Sequence, residues 1–176
     1  MTLSGPVDPP HLRLRLVPSA YDSPEVQTLV AEVQLVYVER YGGRDETPVD
    51  PGEFTPPQGH FVLAHVDGEP AAMGGWRFRT DAMGAVLPGV RPAEIKRMYV
   101  REALRGQGLA RAVLAELERT ALAAGADWMV LETGNRQPEA IALYQSSGYT
   151  PIDAFGFHAC TPDVVNLGRP LRERLA

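Results

Sequence analysis

Between Ala93 and Leu131 the hydrophobic period changes twice, and that succession restricts the fold more than any other feature of the chain. Residues 93–100, Ala-Glu-Ile-Lys-Arg-Met-Tyr-Val, carry the β-branched and aromatic side chains that suit a strand. Over 108–124 the apolar positions Leu109, Val113, Leu114, Leu117 and Ala121 recur at three and four residues, which predicts an amphipathic helix stopped by Gly125. Trp128-Met129-Val130-Leu131 then forms a short, continuous apolar run, as a strand covered on both faces requires. Strand, helix and strand in that order predict a right-handed parallel crossover, around which every other element must be placed.

The preceding elements read as a helix and antiparallel strands. Residues 12–16 alternate leucine and arginine, the pattern of a half-buried strand. Ser23-Pro24 supplies an N-cap with proline at the first helical position, and Val26, Leu29, Val30, Val33 and Tyr37 make one apolar stripe that runs to Gly42 and Gly43. Residues 60–66 and 71–79 read as strands joined at Asp67-Gly68, a dipeptide that tolerates the positive backbone angles of a tight hairpin. Two stretches lack any apolar period: 41–58, rich in proline and holding Asp45, Glu46, Asp50 and Glu53, and 80–92. After the crossover Pro138 opens a helix that carries Ile141, Leu143 and Tyr144 to Gly148, and 149–157 and 163–167 read as closing strands. No repeat or linker interrupts the order. The prediction is one domain over residues 1–176, of mixed α/β class: a central mixed, mostly antiparallel sheet with helices on both faces and one parallel β-α-β crossover.

At 176 residues, with 44% hydrophobic and 22% charged, the chain suits a single core. No apolar run approaches the roughly 20 residues of a membrane helix, and residues 1–10 lack the regions of a secretory signal, so a cytoplasmic protein without membrane contact is expected. The net charge of −5 disfavours nucleic acid as a partner. Cys160 is the only cysteine, which excludes an internal disulfide and a cysteine-based zinc cluster. His158 is near it in sequence, yet no third group orients a base, so an acyl-cysteine intermediate is not expected; His11, His60, His65 and His158 show no metal-ligand spacing, and no metal is predicted. Lys96 is the only lysine.

The chemistry is concentrated in Val100-Arg101-Glu102-Ala103-Leu104-Arg105-Gly106-Gln107-Gly108-Leu109-Ala110-Arg111, between a predicted strand and a predicted helix. Glycines let backbone pass close to a ligand, the first-turn amides of a helix have no internal partner, and the helix dipole together with Arg105 and Arg111 favours an anion there. A P-loop is excluded because no lysine lies in the segment. A dinucleotide fingerprint fits poorly: Arg111 stands at its third glycine position, and five residues separate Val100 from Gly106 where that motif turns at once.

The pattern Arg105-x-x-Gly108-x-Ala110 resembles the acetyl-CoA loop of the GNAT superfamily of N-acetyltransferases, and Ala140-Ile141-Ala142-Leu143-Tyr144-Gln145-Ser146-Ser147-Gly148-Tyr149 resembles that superfamily's second signature. The resemblance covers residues 93–149 closely. It implies acetyl-CoA as cosubstrate and a primary amine as acceptor, with direct attack in a ternary complex; dimers are common in such families. It also implies that the backbone of Met98, Tyr99 and Val100 holds the acyl arm as an added strand, and that Arg105, Gly106, Gln107, Gly108, Leu109, Ala110 and Arg111 receive the phosphates. The family's pantetheine-binding asparagine is replaced by Gln137, with Asn135 two residues earlier. Glu94, six residues before Val100 on the same alternating face, is the candidate base, directly or through water; its alternative is a sheet-surface carboxylate paired with arginine. Tyr144 is the candidate acid for the leaving thiolate, or a packing residue of the helix's apolar side. The acids of 41–58 would suit a cationic acceptor, whereas Arg77, Arg79 and Arg97 would clamp a carboxylate. A non-catalytic acyl-CoA-binding module would carry the same loop.

Overall fold

The computed structural model describes residues 13–79 and 86–171. Within them the elements are β1 (Leu14–Pro18), α1 (Pro24–Tyr41), a 3-10 turn (Pro51–Phe54), β2 (Gly59–Val66), β3 (Glu69–Phe78), β4 (Pro92–Val100), a 3-10 turn (Glu102–Leu104), α2 (Leu109–Ala123), β5 (Trp128–Gly134), α3 (Pro138–Ser146), β6 (Thr150–Pro151) and β7 (Val164–Pro170). Leu12 and residues 80–85 of the 80–92 insert lie outside the described residues.

The strands form one seven-stranded sheet in the order β1-β2-β3-β4-β5-β7-β6. β4 and β5 are its parallel pair, joined through α2, and the remaining pairs are antiparallel. Asp67 and Gly68 both adopt positive φ, 51° and 94°, which is what the two-residue hairpin between β2 and β3 requires. Side-chain alternation divides the core. Val62, Ala64 and Val66 of β2 pack with Val113, Leu114 and Leu117 of α2 on one face, while Phe61 and Leu63 meet Val26, Leu29 and Val33 of α1 and Phe54 on the other. Gly42, in the left-handed region at φ 78°, ends α1 by donating to the Val38 carbonyl.

Two expectations are corrected. The strand predicted over 149–157 reduces to Thr150–Pro151: proline cannot donate to the ladder, and the chain turns at Gly156, φ 77°. Phe155 is buried beside Val130, and residues 156–160 are irregular. The second correction concerns β4. Met73 pairs with Tyr99 but Gly75 pairs with Lys96, so β4 carries an extra residue, and Arg97 there has φ 58°. This bulge reverses the side-chain parity. Ala93 and Ile95 lie on the α2 face before it, and Met98 and Val100 lie on that same face after it. Glu94 and Val100 therefore do not share a face.

Candidate active site

The bulge also separates two strands. β4 pairs with β5 only from Pro92–Glu94 to Trp128–Val130, and beyond Glu94 the strands diverge. The β4 backbone past that point has no partner strand on its β5 side, so its amides and carbonyls are available to an extended ligand. Two cavities occupy the opening, of about 420 Å³ and about 380 Å³, within the range typical of small-molecule sites.

The first runs along the end of β4 to the start of α2. Met98, Tyr99, Val100, Arg105, Gly106, Gly108, Leu109, Ala110 and Arg111 all line it, as does Gln137. Gly106 and Gly108 have φ of 76° and 82°, and a Cβ at either would meet no atom within 4 Å, so both residues carry the backbone past open space in a conformation other residues resist. Gly108 is the N-cap of α2, and the first intrahelical bond runs from the Ala112 amide to its carbonyl. The amides of Leu109, Ala110 and Arg111 thus face outward at the positive end of the helix dipole. Arg111 donates to the Ser146 hydroxyl at 2.8 Å, and Arg105 to the Val100 carbonyl at 3.3 Å, which holds both cations at the rim. This cradle suits phosphates. Gln107 and Asn135 do not line it. Asn135 instead donates to the Asp163 carboxylate at 3.0 Å and ties the end of β5 to the segment before β7, leaving Gln137 as the polar residue of the two that lines the cavity.

The second cavity lies where β4 and β5 part. Tyr37 and Tyr41 of α1, Asp45 and Thr47 of the following loop, Lys96, Glu132 and His158 face it. Met98, Gln137, Ala140 and Tyr144 line both cavities, so the two openings meet beside these four residues. Above the junction Arg40 of α1 pairs with Glu139 of α3 at 2.6 Å and donates to the Arg136 carbonyl at 3.0 Å, a bridge between the two helices.

A family model described as "Acetyltransferase (GNAT) family" matches residues 26–149, which contain both cavities' principal elements. The chain belongs to the GNAT acetyltransferase family. Its fold is similar to that of a Klebsiella pneumoniae protein described as an acyl-CoA N-acyltransferase, with a TM-score of 0.72, 25% identity, and coverage of 91% of this chain and 99% of that one. A GNAT family acetyltransferase from Elizabethkingia anophelis with acetyl-CoA bound shares the fold at a TM-score of 0.60 and 18% identity, covering 89% and 97% of the two chains. An IAA acetyltransferase from Azospirillum brasilense is 37% identical over 78 residues, 44% of this chain; the match spans about half, 51%, of that relative's length.

Within this GNAT site the two acids have opposite surroundings. Glu94 is fully buried and lines neither cavity. Its Oε2 accepts from Arg77 Nε and Arg79 Nη1, each at 3.0 Å, and Oε1 lies 2.8 Å from Lys96 Nζ, an ion pair outside hydrogen-bond geometry. Burial pushes this carboxyl up, but the charges of Lys96, Arg77 and Arg79 together outweigh it and hold Glu94 below the ordinary glutamate value. A carboxylate so placed is a weak base and touches no acceptor. Sequence reasoning gave no catalytic role to Glu132, whose side chain is 4% exposed but faces the second cavity. Burial raises its carboxyl above the ordinary value, Lys96 opposing only in part, and its Oε1 is buried with no hydrogen-bond partner. The available signal was its position at the end of the crossover strand, where a β-sheet ligand site opens. His158 was likewise missed, because its place depends on the irregular 156–160 segment; its Nε2 is 2.8 Å from Thr47 Oγ1 and 3.5 Å from Asp45 Oδ1.

Tyr144 is buried between α3 and β4, with its ring at 5.5 Å from that of Tyr149 and its hydroxyl 3.4 Å from Met98 Sδ, a weak acceptor. Burial pushes the phenol up, so the hydroxyl keeps its proton and is available as a donor at the junction. Replacing Tyr144 with phenylalanine is expected to preserve packing and thermal stability while lowering kcat roughly 10- to 100-fold, the value of one hydrogen bond to a charged group. Steady-state thiol release and a melting curve on the same preparation check this; unchanged kcat leaves the hydroxyl a packing group only.

The charge patterns considered for the acceptor are largely self-engaged. Arg77 pairs with Glu53 and Glu94, Arg79 with Glu94, and Arg97 with Asp45. Asp50 caps the 3-10 turn over Pro51–Phe54 by accepting from the Gly52 amide. None of these is an uncommitted clamp.

Proposed function

We propose that the protein transfers an acetyl group from acetyl-CoA to a primary amine by direct attack in a ternary complex. The observation that carries this is the meeting of two chemically different cavities beside Tyr144: one ends in a phosphate cradle and the other holds the buried carboxylate of Glu132, whose Oε2 is tied to Lys96 and whose Oε1 has no hydrogen-bond partner. The backbone of Met98, Tyr99 and Val100, the amides after Gly108 and the side chain of Gln137 would hold the cosubstrate. Bound there, acetyl-CoA supplies an activated acyl carbonyl. An unpaired β4 amide donates to the oxygen that gains charge as the amine attacks. Glu132 takes the amine's proton, and its raised carboxyl narrows the gap to an ammonium near pKa ~10 by about 1.4 kcal/mol per unit. Tyr144 donates to the departing sulfur. Glu94 acts behind this set, through Lys96.

Thiol release measured across a panel of primary amines tests the reading, with a thermal-shift titration of coenzyme A as the preceding step. Ligand at a hundred times its dissociation constant should add about 2.7 kcal/mol of stability, and at least one amine should raise thiol release above the hydrolytic background. Stabilisation by the cofactor with no amine-dependent release would overturn catalysis and leave a cofactor-binding module.

A further inference from the structure

The only lysine of the chain is buried inside the site, between two carboxylates on neighbouring strands. Lys96 Nζ lies 2.8 Å from Glu94 Oε1 on β4 and 3.5 Å from Glu132 Oε2 on β5, with 11% of the lysine side chain exposed. Glu94 is in turn fixed by Arg77 and Arg79, and Arg77 pairs with Glu53 of the loop before β2. A continuous chain of alternating charge thus leads from that loop, Glu53–Arg77–Glu94–Lys96–Glu132, and ends on a carboxylate that faces the acceptor cavity. Everywhere else the chain uses arginine for its positive charges. A guanidinium is a planar fork that suits bidentate contacts, whereas an ammonium is a compact point charge that can stand between two carboxylates on adjacent strands.

We infer that Lys96 is a positioning residue: it holds the Glu132 carboxylate against the acceptor cavity and sets the pH at which Glu132 can accept a proton, while Glu94 sets how much of the lysine's charge Glu132 receives. The titratable groups that face Glu132 are Lys96 and Glu94 from β4 and His158 from the segment after β6, with Asp45 of the 41–58 loop behind His158. Gly156 closes the remaining side, where a Cβ would come within 3.0 Å of Glu132 Oε2, so the carboxylate has little room to leave the lysine. Removing the lysine takes away the opposite charge next to Glu132 and favours its protonated form. Removing the Glu94 charge does the reverse: it deletes a like charge near Glu132 and leaves the ammonium with Glu132 as its carboxylate partner.

The role of Glu132 as base belongs to the proposed function, and this inference rests on it; the test therefore reads the carboxyl directly, without substrate. Carbon-13 NMR of glutamate-labelled protein, with the Glu132 signal assigned through Glu132→Gln, follows its titration in the wild type and in Lys96→Met, Glu94→Gln and Lys96→Arg. The midpoint should rise by about one pH unit or more in Lys96→Met and fall in Glu94→Gln, and it should stay near the wild-type position in Lys96→Arg. The acidic limb of kcat/KM should move in the same directions. A merely structural lysine would lower the melting temperature of the variants without opposed midpoint shifts. Midpoints that stay put, or that move the same way in Lys96→Met and Glu94→Gln, overturn the inference. If Lys96→Met does not fold, Glu94→Gln and Lys96→Arg carry the same decision. Opposed shifts together with an active Glu132→Gln would uphold the coupling and place the failure in the assignment of the base.

Discussion

Glutamine at position 132 is expected to lower kcat by roughly 100- to 10,000-fold, the usual contribution of a positioned general base, while leaving the fold intact. Glutamine has the shape of glutamate, and the lost ion pair is the longer of the two that Lys96 makes, at 3.5 Å against 2.8 Å. The pH dependence follows from the sign of the shift. A carboxyl raised by burial is protonated, and useless as a base, over a wider acidic range than a free glutamate with its pKa near ~4.3. The acidic limb of kcat/KM should therefore lie above that value in the wild type and be absent from the residual activity of Glu132→Gln. Glu94→Gln should behave differently, moving the limb rather than removing it. Thiol-release kinetics over a pH series in the two variants distinguish the acids. A full loss of rate in Glu94→Gln with an active Glu132→Gln would return the base to β4.

Valine at both Gly106 and Gly108 is expected to abolish measurable coenzyme A binding. Each position has φ well into the left-handed region, where a β-branched side chain costs about 1–3 kcal/mol. The backbone must then rotate, which turns the first-turn amides of α2 away from the phosphates. Each lost hydrogen bond to a charged oxygen is worth roughly 1.5–3 kcal/mol, so two or three of them correspond to a weakening of roughly a hundredfold to a millionfold. No atom lies within 4 Å of either would-be Cβ, so the apo protein should lose only the local strain, and for a chain of this length each kcal/mol lowers the melting temperature by about 2–4 °C. Titration calorimetry measures the first effect and a melting curve of the free protein the second. Wild-type affinity in the double variant would mean that the cosubstrate does not use this loop.

The elements whose signals are local were legible in the sequence. The stripe of α2 and the stop at Gly125 lie in consecutive residues, and Asp67-Gly68 carries its turn geometry in its own backbone preferences. The glycine loop was legible for the same reason: its function is a backbone property of Gly106 and Gly108. What was not legible depends on contacts between residues far apart in the chain. The β4 bulge occurs at Arg97, a residue with no preference for positive φ, and it alone reverses the face on which Val100 lies relative to Glu94. Glu94 was singled out by counting along an unbroken strand, and that count fails at the bulge. Glu132 and His158 join the site through the divergence of β4 from β5 and through the irregular turn at Gly156, neither of which has a periodic signature. The arginines of β3 read as free cations because their partners, Glu53 and Glu94, are brought to them only by folding.

We propose that acyl transfer takes place in the fissure at the β4 bulge, with Tyr144 at the junction of donor and acceptor. A crystal structure of the protein with coenzyme A tests it most directly. Pantetheine density is expected along the Met98–Val100 backbone, with the pyrophosphate on the Leu109–Arg111 amides and the thiol sulfur within hydrogen-bond reach of the Tyr144 hydroxyl. Density for the cofactor elsewhere on the surface, or a sulfur that does not reach the space between Tyr144 and Glu132, would contradict it.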